Sequence, residues 1–294
     1  VIGVMITIAF LGGILSHEPI IWASSLLKWQ GAFLLLAAIG IVILLLNYLI
    51  LIDSPLNEKL CIKRKISFSF TELIAQLKQI STNPFTWIGS LYTTFLNLPV
   101  ILFGALWSTI YLQEAHGLSI ANSSIIASLT FLGLIIGTPL VGYYAKNEEK
   151  IANILLAGSI LSGVFLFLLI YYSGSSFFYL STIFFLLGFF SSTQSVGYPI
   201  VITNSKPELT SLASSVISIF VLGGGTLIKI LFGMLLDKHW SGSLAQSGVR
   251  LYSVADFNYA MLFVGLFFVA SFILAIYYKV KTKNKINVLL LAND

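Results

Sequence analysis

Apolar residues fill the chain in long unbroken runs. Six of them, 31–52, 85–112, 121–145, 151–172, 177–203 and 257–278, contain no Asp, Glu, Lys or Arg. Two more, 1–26 and 209–236, are almost as apolar; the first holds His17 and Glu18 and the second holds Lys229. A helix needs about 20 apolar residues to cross the hydrocarbon of a bilayer, and every run reaches that length. The pattern predicts an all-α polytopic membrane protein with eight transmembrane helices.

The polar connection at 53–84 has a pattern of its own. Phe70, Leu73, Ile74, Leu77 and Ile80 recur at helical spacing and make one apolar stripe. Ser69 followed by Glu72 has the form of a capping box. Asn83-Pro84 ends the segment, because a residue before proline is pushed out of the helical region. The expectation is a short amphipathic helix on the membrane face, dividing two spans from six.

Composition agrees. Charged residues make up 9% of the 294 residues, hydrophobic ones 57%, and the mean hydropathy is +0.96. A soluble domain carries roughly 25% charged residues, so this chain cannot cover a water-facing surface, and membrane lipid must be its solvent. The net charge of +5 does not indicate nucleic acid, because the basic residues stand in short runs between apolar segments. One set of connections holds Lys59, Lys63, Arg64, Lys65, Lys78, Lys146, Lys150, Lys206, Lys279, Lys281, Lys283 and Lys285, and the other only Lys28, Lys238 and Arg250. Lysine and arginine favour the cytoplasmic side. The 53–84 connection and both termini are therefore expected in the cytoplasm. Cys61 is the single cysteine, which excludes a disulfide framework.

Several motifs resemble the major facilitator transporters. Lys28-Trp29-Gln30-Gly31-Ala32-Phe33 is similar to that family's Gly-Trp-Arg-x-x-Phe turn between spans five and six, with Lys28 and Gln30 replacing its Gly and Arg. Gly133, Gly137, Pro139 and Gly142 resemble the glycine-rich end of span eight, and Lys146-Asn147 replace the Asp-Arg pair that usually follows. Thr193-Gln194, Asn204 to Glu208, Gly223-Gly224-Gly225, and Gly233 to Asp237 with Trp240 resemble spans ten and eleven, notably in transporters of intracellular bacteria, some of which import amino acids.

The resemblance implies spans five to twelve of a twelve-span fold. Residues 1–52 would be the last two helices of the N-terminal bundle and 53–84 a basic linker. Residues 85–279 would form the C-terminal six-helix bundle and 280–294 a cytoplasmic tail. Four earlier helices would be partners of this chain, either lost or encoded upstream.

Polar groups at membrane depth are costly and carry the candidate chemistry. Gln194, in the polar stretch Ser191 to Tyr198, has both donors and acceptors and is the first choice for solute contact. Asn97 and Pro99 interrupt their run, and a proline there marks a bend beside a cavity. Tyr92, Asn97, Trp107 and Tyr198 would then line the site, and Lys229 would bind a solute carboxylate or pair with Glu18. Glu18 is the candidate for proton coupling, since desolvation raises a buried carboxyl. Each has a plainer reading. Asn97 would bond a neighbouring helix, Lys229 would snorkel and Glu18 would face water. The glycines at 12, 13, 133, 137, 188 and 223–225 read as close-packing positions.

The functional expectation is secondary active transport of a small polar organic solute, for instance an amino acid, by proton symport and alternating access. A non-functional remnant, or the membrane subunit of an ATP-driven complex, stays open as an alternative. No clustered ligands or catalytic constellation suggest an enzyme, and no cofactor is expected.

Overall fold

A computed structural model describes residues 2–50, 69–244, 248 and 250–291; within these, the side chains of most residues up to Ser25 and of residues 285–291 are outside the description. Every regular element among the described residues is helical, and seven helices are long and apolar enough to cross a membrane. Of the expected first span, 1–26, the backbone from Ile2 onward is helical, but its side chains lie largely outside the described residues, so the number of spans shown is seven rather than eight. The chain divides into two compact units, Leu11–Ile74 and Ala75–Asp294 with Val1–Phe10.

Helix α1 (Ile2–Ile50), which lies in the first unit from Leu11 onward, is two helices joined at Lys28, whose backbone sits at φ 58 and ψ 171. That region is accessible to glycine and costs other residues about 1–3 kcal/mol. The kink brings residue 31 so close to Leu27 that a Cβ there would lie 2.6 Å from the Leu27 Cβ, which explains Gly31. From Leu26 to Ile50 the helix is apolar on every side, with none of its most apolar stretch buried, as suits a helix bathed in hydrocarbon.

Helix α2 (Phe70–Thr82) begins in the first unit, where Phe70 and Ile74 are exposed, and ends in the second, where Ile80 enters a small core with Val201, Leu209, Ala213 and Ile217. The junction with α3 (Pro84–Leu96) is capped by Asn83, whose Oδ1 accepts from Phe85 N at 3.0 Å while its Nδ2 donates to Asn204 O at 2.6 Å. Pro84 at the first turn costs nothing, because its missing N–H would have been unpaired there. The remaining helices are α4 (Ser108–His116), α5 (Ile120–Tyr144), α6 (Glu148–Tyr171), α7 (Phe177–Ser191), α8 (Gly197–Thr203), α9 (Thr210–Ile219), α10 (Gly225–His239) and α11 (Val254–Leu291).

Helices α5 and α7 touch backbone to backbone. A Cβ on Gly133 would run into Phe185 O and one on Gly188 into Thr130 O, while one on Gly137 would lie 2.7 Å from Phe189 O. Small residues let membrane helices gain dispersion contact where lipid gives no hydrophobic drive. Gly223 differs from that expectation, having open space around its Cα, and the side chains near Gly12 and Gly13 are outside the described residues.

Three spans of this unit are discontinuous. A π-helical turn, Pro99–Gly104, separates α3 from α4; a 3₁₀ turn, Ser192–Val196, separates α7 from α8; a π-helical turn, Phe220–Gly224, separates α9 from α10. Pro99 lacks an N–H and cannot continue the helical ladder. The Ser192 and Thr193 hydroxyls donate back to Phe189 O at 2.6 Å and Phe190 O at 2.8 Å, which tightens the turn. Irregular backbone at membrane depth is tolerated where it is buried in protein or lines a cavity.

Candidate functional site

The three breaks come together on α3. Two consecutive α3 residues hold two consecutive residues of the 3₁₀ turn. Tyr92 Oη donates to Leu155 O at 2.9 Å and lies 3.0 Å from Thr193 Oγ1, and Thr93 Oγ1 donates to Gln194 O at 2.9 Å. Tyr92 thereby ties α3 to both α6 and the 3₁₀ turn. A glycine contact allows this proximity: a Cβ on Gly89 would lie 2.7 Å from Gly197 O, and one on Gly197 2.5 Å from Gly89 O. On the other side, Gly224 approaches Thr94, 3.1 Å from the Thr94 Cγ2 to a Cβ built on it, and Gly225 approaches Ile101 at 2.9 Å.

Gln194 sits at the middle of this arrangement with 7% of its surface exposed. Its backbone is clamped, yet its side-chain amide nitrogen is buried with no hydrogen-bond partner among the described residues. Leaving a buried donor unpaired costs about 1–3 kcal/mol. The Oγ atoms of Ser90, one turn before Thr93 and Thr94, and of Ser191 are likewise buried and unpartnered among the described residues. The result is a neutral polar seam. It can offer hydrogen bonds to a solute, but it carries no charged side chain of its own.

The expected site residues fall in different places. Asn97 is buried at the C-terminal cap of α3, directly before the π turn. Tyr92 is fully buried, and its hydroxyl contacts are to protein. Tyr198 is half-buried and packs on the Ile80 core. Lys229 is half-buried on α10. Trp107 belongs to an aromatic cluster, its ring centroid 5.9 Å from Tyr252, 6.1 Å from Phe232 and 6.3 Å from Phe257. The Trp107 indole nitrogen is also buried and unpartnered among the described residues. The helical backbone at Glu18 is described but its side chain is not, so the proton-coupling expectation lies outside the described residues.

Two groups were not anticipated. The first is Thr86, Ser90, Thr93 and Thr94, all buried, which form a polar face of α3 with the anticipated Asn97. Its spacing of three and four residues was legible as one helical face, had threonines in an apolar run been given weight. The second is Asp237, whose Oδ1 accepts from Arg250 at 2.6 Å and from Tyr252 Oη at 2.6 Å. Both sides of that ion pair are about half exposed, so it pins the 240–253 connection and adds little stability.

A family model described as the Major Facilitator Superfamily matches residues 1–152 and 100–289. No curated protein matches the chain.

Proposed function

Because the chain belongs to the Major Facilitator Superfamily, an integral membrane family that moves solutes, we propose that it carries a small polar organic solute, with an amino acid as first candidate, by proton symport. Gln194 supports this reading best. Its backbone is held by Thr93 while its amide is buried and unpaired among the described residues. A solute oxygen, from a carboxylate or a carbonyl, would receive that donor and remove the desolvation cost of the unpaired group.

Asn97 would add a second polar contact beside the π turn, and Trp107 an indole donor with an aromatic wall. Lys229 would meet a solute carboxylate. Tyr92 would act on the site through Thr193, by fixing the turn, and Tyr198 by packing below it. The discontinuous spans suit alternating access, in which bundles rock around a midplane site. Glu18 would carry the coupled proton, and the lysine-rich connections and both termini would face the cytoplasm of a bacterial inner membrane.

The test is an uptake screen. The gene is expressed at full length in a bacterial host, and radiolabelled amino acids and other small polar solutes are offered with and without a protonophore. At least one solute should accumulate above the empty-vector control and lose that accumulation with the protonophore. No accumulation of any solute, from a chain confirmed to be in the membrane, would overturn the proposal. Accumulation that the protonophore leaves unchanged would remove Glu18 and the proton from it.

A further inference from the structure

A cavity of about 440 Å³ opens on the face shared by α6 and α11, lined from Ser159 to Ile170 on the first helix and from Leu262 to Phe272 on the second. None of the transport-site residues lines it. Its floor contains Gly163 and Gly265, and these two half-buried glycines differ from fully buried ones such as Gly133 and Gly188. A Cβ on Gly163 would meet nothing nearer than Phe268 Cβ at 3.8 Å, and one on Gly265 nothing nearer than Leu166 Cδ2 at 4.0 Å. Both are ordinary van der Waals contacts. Close helix packing therefore does not demand these glycines, whereas it does at Gly133 and Gly188. What they provide is an open groove.

The chemistry of the groove is uniform. Its one polar side chain is Ser159, whose hydroxyl donates to Leu155 O at 2.9 Å within its own helix. Water needs polar partners to stay in such a place, and the groove provides none that is free. Its length is set by 11 residue steps on α6 and 10 on α11, or about 15–17 Å at the helical rise. That is close to half of the roughly 30 Å hydrocarbon core, the depth of one leaflet.

The position of the groove relative to the charged end of the bundle is also defined. The basic ends of the two helices lie together, with Lys279 Nζ 3.4 Å from Asn153 Oδ1 and Lys150 and Lys281 nearby in sequence. On α6 the groove begins beyond them, at the middle of the helix, and runs almost to its far end, while on α11 it occupies residues 262–272 across the middle of the span. A helix from a second copy would cross the whole bilayer and has no counterpart in a groove that stops halfway.

We propose that this groove is a lipid site, seating one acyl chain of a phospholipid from the leaflet opposite the lysine-rich end of the bundle.

The full chain, purified and reconstituted in phosphatidylcholine vesicles, is the material for the test. A phosphatidylcholine carrying a diazirine midway along one acyl chain is the probe. After irradiation, adducts should concentrate on 159–170 and 262–272, several-fold above the exposed residues Leu227, Ile230 and Met234 of α10. The Gly163→Leu/Gly265→Leu pair, which fills the groove, should lower them to that background, while Gly163→Ala keeps most of them. Elution and melting temperature check the fold of each variant, and Gly265→Val alone serves if the pair does not fold. Adducts spread evenly over all lipid-exposed helices, or unchanged in the filled variants, would overturn the proposal. So would efficient disulfide dimerisation through Gly265→Cys in a Cys61→Ser background, which would assign the groove to a second copy.

Discussion

The Thr93 hydroxyl donates to the Gln194 carbonyl at 2.9 Å, while the amide nitrogen of the same glutamine is buried without a partner among the described residues. One end of Gln194 is thus fixed by a neighbouring helix and the other end is left for something else. Membrane interhelical hydrogen bonds contribute about 0.6 kcal/mol on average and rarely exceed about 1.7. The bond is therefore worth more as a positioning device than as a source of stability. Thr93→Val should lower solute uptake several-fold and the melting temperature by only a few degrees, and Thr93→Ser should restore uptake. A large loss of stability with unchanged uptake per folded molecule would mean that Thr93 does not position Gln194.

The glycines give a sharper contrast. A Cβ on Gly89 would lie 2.6 Å from Val201 Cγ2 and 2.7 Å from Gly197 O, whereas nothing lies within 4 Å of one on Gly142. Backbone cannot yield as a flexible side-chain end can. Gly89→Val should destabilise the bundle by about 1–3 kcal/mol, as overpacking does, and Gly142→Ala, with room for its methyl group inside α5, should stabilise it by about 0.5–1 kcal/mol. Thermal unfolding in detergent measures both.

Lys28 holds a backbone conformation that suits glycine, at φ 58 and ψ 171. Relief of that strain is worth about 1–3 kcal/mol, and glycine's greater unfolded-state entropy takes back about 1. Lys28→Gly should therefore stabilise the chain by about 1 kcal/mol, read as a higher detergent melting temperature. A lower melting temperature would show that the lysine side chain contributes more than the strain costs.

His116, in the last turn of α4 beyond the end of its span, has Nδ1 2.7 Å from Gly174 O and Nε2 3.3 Å from Tyr111 Oη. Burial pushes its pKa below the ordinary histidine value, and the bond to Gly174 opposes this only in part. The folded state thus prefers the neutral ring, and the unfolded chain takes up the proton first. The contribution of His116 is fully present above about pH 6.5 and is lost as the pH falls from there toward the lowered value. Melting temperature measured from pH 7.5 to 5 should drop more steeply for the wild type than for His116→Asn. Parallel curves would refute this.

Much of the architecture was readable from the sequence, because a spanning helix requires nothing subtler than length and the absence of charge. The apolar runs at 121–145 and 151–172 became α5 and α6 almost residue for residue, and Asn83-Pro84 marked a boundary that Asn83 does cap. Lys28-Trp29 marked a turn that the backbone at Lys28 supplies. The site was harder to read. Thr93 and Ser90 are small enough to pass in an apolar run, and their value depends on α8 lying against α3. Gly133 and Gly223 look alike in sequence but differ in their neighbours, and Asp237 meets an Arg250 that lies 13 positions away in the sequence. Such relationships are tertiary, and local pattern does not encode them.

The most direct test of the central claim is the uptake of a solute identified by the screen, compared between wild type and Gln194→Ala at matched membrane abundance. Uptake should fall at least ten-fold in the variant, with an unchanged melting temperature in the absence of solute. Uptake equal to wild type would show that the unpaired amide of Gln194 does not serve the solute, and the proposed site would have to be abandoned.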